Sequence, residues 1–221
     1  MSERPEENRR TWPGDTARGE IEVVEEHVVW ENAVARLYDD RVRVPGDGPQ
    51  APPIEKRQFR LGHAPSVADG VVIVPVTEDD EVLLVRQFRH PVRMWIRELP
   101  RGGVNAGEAP ADAARRELHE ELGCETRALW PLGRIATDSG QVVGIPYLFV
   151  ARVARGGEPE RETGETIDGI HGYRFTALLR AGERGEIVDS FTLAAVLRVA
   201  PHFDGDRFAW RDEAAPTDPI R

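Results

Sequence analysis

The chain has few residues that can form covalent cross-links or carry a flexible positive charge. Its 221 residues include a single cysteine, Cys124, and a single lysine, Lys56. One cysteine excludes an intramolecular disulfide. Nearly all of the 29 basic residues are therefore arginine, which we attribute to composition bias rather than to phosphate recognition.

Long apolar runs and an excess of positive charge are also missing. No stretch of eighteen apolar residues occurs, and the sequence begins MSERPEENRR without an apolar leader, so we expect a soluble cytoplasmic protein with no membrane partner. The formal net charge is -10, and no basic stripe is present, so we expect no nucleic-acid partner.

The length suits one domain with attachments. Residues 1–20 mix proline, glycine and both charge signs without periodicity, which predicts a disordered tail, and 204–221 look similar. The segments 21–30, 33–44 and 54–61 are rich in β-branched residues, and a turn at Glu31-Asn32 separates the first two. We therefore predict a small antiparallel β-subdomain over 21–62, followed by the main domain over 63–203.

The main domain alternates predicted strands with two predicted helices. Strands at 70–75 and 82–88 would form a hairpin, further strands lie within 141–152 and 167–175, and an amphipathic helix covers 190–199. This order predicts an α/β fold with a mixed sheet.

The most informative pattern is the spacing of residues between 102 and 124. Ala109-Pro110 would open a helix, because proline is tolerated in the first turn, and a glycine at 123 would end it. Ala111, Ala114, Leu118 and Leu122 supply an apolar stripe along that helix. In order, the pattern consists of Gly102, Glu108, Arg116, Glu117, Leu118, Glu120, Glu121, Gly123 and Cys124.

Three acids of this pattern share one face of the predicted helix. Glu117, Glu120 and Glu121 stand at i, i+3 and i+4, where like charges destabilise a helix. The cluster makes sense if divalent cations lie over it, since Mg²⁺ prefers carboxylate oxygens. Arg116 is about 100° from Glu117 around the helix, so we assign it to orienting a motif carboxylate.

The segment before the helix is a glycine-rich loop in this interpretation. Arg101, Gly102 and Gly103 leave the backbone free of side-chain bulk over two positions. Such a loop can approach a phosphate or turn a carbonyl towards a metal.

The pattern resembles the signature of the Nudix hydrolases, and every fixed position of that signature is filled. The resemblance implies an α/β/α sandwich that hydrolyses nucleoside diphosphates linked to another moiety, using Mg²⁺ or Mn²⁺. By the same resemblance, Glu117, Glu121 and the Arg101 carbonyl hold the metal and Glu120 shares it. Cys124 falls at a hydrophobic position of the signature, which indicates core packing rather than a nucleophile.

Further residues resemble the ADP-ribose pyrophosphatase branch of that family. The stretch 82–99 followed by Pro-Arg-Gly carries the branch's Leu-Val-Arg-Gln-aromatic-Arg strand and its Glu-Leu-Pro. The branch has an N-terminal β-subdomain that helps to build a homodimer, and Arg57 and Arg89 occupy positions that resemble its substrate-contacting arginines. A surface salt bridge is an equally good interpretation for each arginine.

Two departures from the branch bear on substrate and mechanism. Ser139 stands where the branch usually has a proline. In the late acidic loop Glu165 keeps the family spacing to Ile167, but Thr163 replaces the first acid and Glu162 lies one step away. Because the general base of the family often comes from that loop, Glu162, Glu165 and Glu120 are all candidates, and Glu165 is also a candidate metal ligand.

We therefore predict a Mg²⁺-dependent pyrophosphohydrolase of ADP-ribose or a related nucleoside diphosphate sugar, which is a small-molecule substrate. A dinucleotide or a damaged nucleotide is the alternative substrate. An inactive ligand-sensing domain is a further alternative, which the intact acids disfavour.

Overall fold

A computed structural model of the chain describes residues 21–46, 51–64, 68–136, 138–160 and 166–212. These residues form two compact units. The first contains the described residues up to Ala64 together with Asp138–Val143, and the second contains those of 68–136 and 144–212. None of the helices in these ranges is long and apolar enough to span a membrane.

The first unit is built on a four-stranded antiparallel sheet. Its longest pairing runs from Ala35 opposite His63 to Val44 opposite Ile54. Asn32 makes the predicted turn, because its side-chain oxygen accepts hydrogen bonds from two backbone N–H groups at 2.8 Å each. The strands are β1 (Glu22–Glu25), β2 (Val28–Glu31), β3 (Ala35–Val44) and β4 (Ile54–His63), and β3 pairs with each of the other three.

The strand-like segment predicted over 21–30 forms two separate strands, β1 and β2. The N–H of His27, between them, donates to the buried carboxylate of Asp40 at 3.2 Å. A side chain therefore takes a donor that a regular strand would give to a neighbouring carbonyl.

The second unit is a mixed sheet of seven strands with helices. β5 and β10 are parallel and central, and the order along the sheet is β11, β6, β5, β10, β9, with β7 on β6 and β8 on β5. Its elements are β5 (Ala68–Thr77), β6 (Glu81–Arg89), β7 (Met94–Glu98), β8 (Arg101–Val104), α1 (Pro110–Leu122), β9 (Cys124–Arg134), β10 (Tyr147–Arg155), β11 (Ile167–Arg174), α2 (Phe175–Glu183), α3 (Ser190–Val199), β12 (Phe203–Asp204) and β13 (Arg207–Phe208).

Alternation along β5 creates two cores, one on each face of the sheet. Val72 and Val74 belong to a cluster with buried residues of α2 and α3. Val71 and Ile73 belong to a cluster with Ala114 and other residues of α1. Since successive strand residues point to opposite faces, the sheet lies between α1 and the α2 and α3 pair. The predicted α/β/α sandwich is confirmed.

Several elements of the second unit differ from the sequence expectations. The predicted loop over Arg101, Gly102 and Gly103 lies instead in a short strand, β8, which pairs with β5. A third helix is present, because Phe175, which we expected to end a strand, begins α2. Phe208, in the stretch predicted as a C-terminal tail, is buried in a core cluster, and Trp210 packs against that cluster, whereas most other described residues of the stretch are exposed. Short strands and apolar residues scattered among charges give weak patterns, which explains these omissions.

Candidate active site

Helix α1 carries most of the candidate site, and its bounds confirm the prediction. It begins with Pro110 in the first turn and ends at Leu122, where Gly123 adopts the left-handed conformation with φ 63°. The N–H of Gly123 bonds back to the carbonyl of His119 at 2.9 Å. Leu118 and Leu122 are buried, as the apolar stripe predicted, and Ala113 joins them.

The three acids of α1 differ in burial and in partners. Glu117 and Glu121 are buried, whereas Glu120 is partly exposed. The Nη1 of Arg116 donates to Glu117 Oε1 at 2.7 Å and to Glu120 Oε2 at 2.8 Å. One guanidinium therefore offsets the repulsion between two of the acids.

Arg116 also ties the helix to the segment that precedes it. Its Nε donates to Glu108 Oε1 at 3.0 Å, and its Nη2 donates to the Gly103 carbonyl at 2.7 Å. The hydrogen bond between Arg116 and Glu108 holds the pKa of Glu108 below its usual range, and the same bond raises the pKa of Arg116. Both groups therefore stay ionised at neutral pH.

Gly102 and Gly70 allow strand β5, strand β8 and the Glu117 side chain to approach one another closely. A Cβ built on Gly102 would overlap the carboxylate of Glu117. A Cβ on Gly70 would lie 2.8 Å from the Gly102 carbonyl oxygen. Gly103 has no such neighbour. The absence of side chains at 70 and 102 thus allows β5, β8 and the Glu117 carboxylate to come together. The sequence predicted that missing bulk matters at 102 and 103, which is right for 102, and it did not indicate 70.

A cleft of about 300 Å³ opens beside Gly102. Among the described residues that line it, two are charged and both are arginines. Gly102 takes part in two environments, since it lines the cleft and also contacts Glu117. The lining consists of residues 70–72, Arg89, Arg101, Gly102, Pro146 and Phe191.

Glu98 lies behind the two arginines and is fully buried. Its Oε1 accepts a hydrogen bond from Arg89, and its Oε2 accepts one from Arg101 Nη2 at 3.0 Å. The sequence marked Glu98 only as part of Glu-Leu-Pro and assigned it no role. The signal that could have found it is an acid inside an apolar strand end, since buried acids are almost always paired.

Arg101 has two further neighbours at the start of α3. Its Nη1 lies 3.4 Å from Asp189 Oδ1, and its guanidinium carbon lies 4.5 Å from the centre of the Phe191 ring. Asp189 also caps α3 by accepting from the Thr192 N–H at 2.8 Å. No sequence pattern linked α3 to the motif, so Asp189 and Phe191 were missed.

The remaining predicted site residues do not all fall in this arrangement. Arg57 belongs to the first unit and is ion-paired with Asp39. Glu162 and Glu165 lie outside the described residues. Cys124 is buried, and burial raises the pKa of its thiol, in agreement with a packing role.

The donor chemistry of α1 fits a hard divalent cation. Three carboxylates stand within five residues of one helix, and close packing at Gly102 brings the backbone of β8 against Glu117. Within the described ranges, no three His, Cys, Asp or Glu side chains are already arranged around a metal position. Arg116 engages one oxygen of Glu117 and one oxygen of Glu120, and a carboxylate can bind a cation through its other oxygen while this hydrogen bond is kept.

Comparison with known proteins assigns the family. A model of the NUDIX domain matches residues 67–191, which is more than half of the chain. The chain belongs to the Nudix family. It is accordingly a Nudix hydrolase, and the family that the sequence pattern predicted is confirmed.

Curated relatives of this Nudix hydrolase have more than one name. It is 32% identical over 187 residues to an ADP-ribose pyrophosphatase of Mycobacterium tuberculosis, covering 83% of this chain and 84% of the relative. It is 29% identical over 146 residues to an ADP-ribose pyrophosphatase of Bacillus subtilis, covering 66% and 74%. It is also 29% identical over 133 residues to a methanol dehydrogenase activator of Bacillus methanolicus, covering 60% and 66%.

A solved structure supports the fold. The crystal structure of an ADP compounds hydrolase matches with a TM-score of 0.68 and 16% identity, over 83% of this chain and 94% of that chain. At that identity the likeness shows the shared fold only.

Proposed function

We propose that this Nudix hydrolase cleaves the diphosphate of ADP-ribose, or of a related nucleoside diphosphate sugar, to a nucleoside monophosphate and a sugar phosphate. The observation that carries this proposal is the position of Gly102. On one side it contacts the carboxylate of Glu117, and on the other it lines a cleft whose charged residues are both arginines. Two relatives named as ADP-ribose pyrophosphatases support the choice of substrate.

We propose Mg²⁺ or Mn²⁺ as the cofactor, held by Glu117, Glu121 and the Arg101 carbonyl, with Glu120 as a shared ligand. Such a cation supplies charge neutralisation for the diphosphate and acidifies a water molecule. Arg116 orients Glu117 and Glu120 by its hydrogen bonds, and Gly103 fixes Arg116 in turn through its carbonyl.

The reaction adds one water molecule across a phosphoanhydride bond. The water oxygen forms a bond to one phosphorus, and the bridging oxygen leaves with the other phosphate. Arg89 donates to phosphate oxygens in the cleft, where a bidentate donor suits the charge of the leaving phosphate. Arg57 is proposed as a further substrate contact.

A carboxylate must accept the proton of the attacking water. We propose Glu165 of the late loop for this role, with Glu162 as its substitute and Glu120 as the alternative within the motif. Glu162→Gln and Glu165→Gln, measured separately across pH, decide between them. If neither variant reduces kcat by more than about threefold, which is well under 1 kcal/mol on the barrier, Glu120 is the base.

A substrate panel tests the function directly. The purified protein with Mg²⁺ is given ADP-ribose, other nucleoside diphosphate sugars, dinucleotides and oxidised nucleotides, and the products are resolved by chromatography. We expect AMP and ribose 5-phosphate from ADP-ribose at the highest kcat/KM. A higher kcat/KM for a dinucleotide or an oxidised nucleotide would assign the protein to the alternative substrate class.

A further inference from the structure

The side chain of Arg101 is held on three sides at the wall of the cleft. Glu98 accepts from its Nη2 at 3.0 Å, Asp189 lies 3.4 Å from its Nη1, and the Phe191 ring lies under its guanidinium at 4.5 Å. Only 19% of the side chain is exposed. A long, flexible side chain fixed this firmly has already lost most of its rotamer entropy, so little more is lost when it binds a ligand.

Charge is distributed unevenly between the cleft and the layer behind it. Arg89 and Arg101 line the cleft, whereas Glu98 and Asp189, which hold them, are buried and are not among its described lining residues. The cleft therefore presents positive groups in a chain whose formal net charge is -10. The two carboxylates balance the two positive charges from behind, so the cleft offers an anion guanidinium N–H donors rather than a net positive charge.

Both arginines retain donors for a ligand. A guanidinium carries five N–H groups. The contacts of Arg101 with Glu98 and Asp189 involve only its two terminal nitrogens, one contact each. Arg89 contacts Glu98 through its Nη2, and 29% of its side chain is exposed. Unused donors on two adjacent arginines suit the several oxygens of a diphosphate.

We propose that the Arg101 side chain binds the substrate diphosphate, and that Glu98 is the positioning residue that sets Arg101 and Arg89 as a pair. The role is separate from that of the Arg101 backbone carbonyl, which any residue at this position would supply. This inference rests on the proposed function for the identity of the substrate, but not for the chemistry of the anion.

Arg101→Met tests the side chain without altering the backbone carbonyl. The matched control is Arg152→Met in the same unit. Arg152 has a similar setting, since it is 25% exposed, donates to Asp80 at 2.6 Å and lies 5.0 Å from the Phe208 ring, but it does not line the cleft. If substrate affinity fell only because a cluster of an arginine, a carboxylate and an aromatic ring was disrupted, the fall would appear in both variants.

We expect Arg101→Met to raise KM for ADP-ribose by about tenfold or more, with kcat changed by less than about threefold, and Arg152→Met to leave both unchanged. Arg101→Lys should recover part of the loss, because it keeps the charge but not the fork. If Arg101→Met does not fold, Arg101→Lys replaces it as the test of the side chain. Calorimetry with inorganic pyrophosphate, in the presence of chelator, should show the same order of affinities.

Glu98→Gln tests the positioning role. It should raise KM in the wild-type background but have no further effect in Arg101→Met and Arg89→Met combined, since the groups that it positions are then gone. An equal effect in both backgrounds would mean that Glu98 acts only on stability.

The outcomes separate this inference from the proposed function. Suppose that the wild-type protein does not hydrolyse ADP-ribose, but that Arg101→Met lowers the affinity for pyrophosphate. This result would overturn the proposed pyrophosphohydrolase function and support the role of the Arg101 side chain. Unchanged KM and unchanged pyrophosphate affinity in Arg101→Met would overturn the inference, whatever the substrate.

Discussion

The two units of the chain bury their residues in very different ways. In the second unit, apolar side chains fill clusters on both faces of a mixed sheet. In the first unit, the buried hydrophobic residues among those described are Val42 and Ala64. Most other residues of its sheet are exposed or half-buried, although both units have long, well-paired strands.

Ion pairs across strands are abundant where the core is thin. β3 contributes arginines that pair with acids on both neighbouring sides, for example Arg43 with Glu22 at 2.7 Å and with Glu55 at 2.9 Å. Exposed pairs of this kind specify which residues lie opposite one another, but each contributes little to stability because solvent screens the two charges. The comparison teaches that regular strand pairing does not imply a stabilising core.

The largest expected effect is on the core of the second unit. Leu84 of β6 is 0% exposed, so Leu84→Ala should lower the free energy of unfolding by about 2–5 kcal/mol through lost burial and a cavity. Phe59→Ala in the first unit is the control, since Phe59 is 57% exposed within one chain and its loss should cost about 0.5 kcal/mol or less when unfolding is measured at a concentration where the protein is monomeric. Urea unfolding measures both. Equal losses would show that the first unit has a core after all.

The next effect is on catalysis rather than stability. Glu121→Gln removes one carboxylate charge from buried surroundings at nearly constant volume. We expect kcat to fall at least about a hundredfold, or about 2.7 kcal/mol on the barrier, because a proposed metal ligand is lost. Circular dichroism should show an intact fold. Near-normal turnover at saturating Mg²⁺ would contradict the metal assignment.

The second unit also shows which features the sequence could predict and which it could not. Helix α1 was predictable to within a residue, because Pro110, the apolar stripe and Gly123 agree on its bounds. Local rules of this kind do not specify partners far along the chain. The contacts of Arg101 with α3, or of Gly70 with Gly102, depend on tertiary packing, and no periodicity reports them.

The acids of the motif show the same limit at the site itself. The spacing placed Glu117, Glu120 and Glu121 on one helix face, which the geometry of α1 supports. It did not reveal that Arg116 engages two of them at once, because that depends on the rotamer of one long side chain.

A third prediction concerns the exposed apolar residues of the first unit. We expect a homodimer, since unsatisfied strand edges and apolar surface favour association, and light scattering should give twice the 24.7 kDa mass of the chain. Phe59→Ser should weaken the dimer, whereas Leu193→Ser in the second unit should not. A monomeric wild-type protein at micromolar concentration would contradict this expectation. The exposed set is Ile21, Val28, Val29, Trp30, Val34, Ile54, Phe59, Leu61, Val142 and Val143.

The smallest expected effect concerns a single ion pair of the first unit. The hydrogen bond from Arg43 holds the pKa of Glu55 below its usual range. A lowered folded-state pKa contributes stability that is present above the unfolded value, about 4.3, and is lost as pH falls through the folded value. Arg43→Gln should therefore raise the pKa of Glu55 towards its usual value, as measured by a carboxyl-carbon NMR titration.

The matched control is Arg184→Gln in the second unit, where the hydrogen bond from Arg184 likewise lowers the pKa of Glu186 and the pair is 2.7 Å apart. Both pairs are solvent-exposed, so both variants should shift the pKa of their acid while leaving the melting temperature at pH 7 nearly unchanged. If ion pairs stabilise the first unit in place of a core, Arg43→Gln would instead lower its melting temperature and Arg184→Gln would not. That result would mean that the charged sheet is cooperative, with each pair supporting the next, and that its stability should fall with added salt because exposed charges are screened.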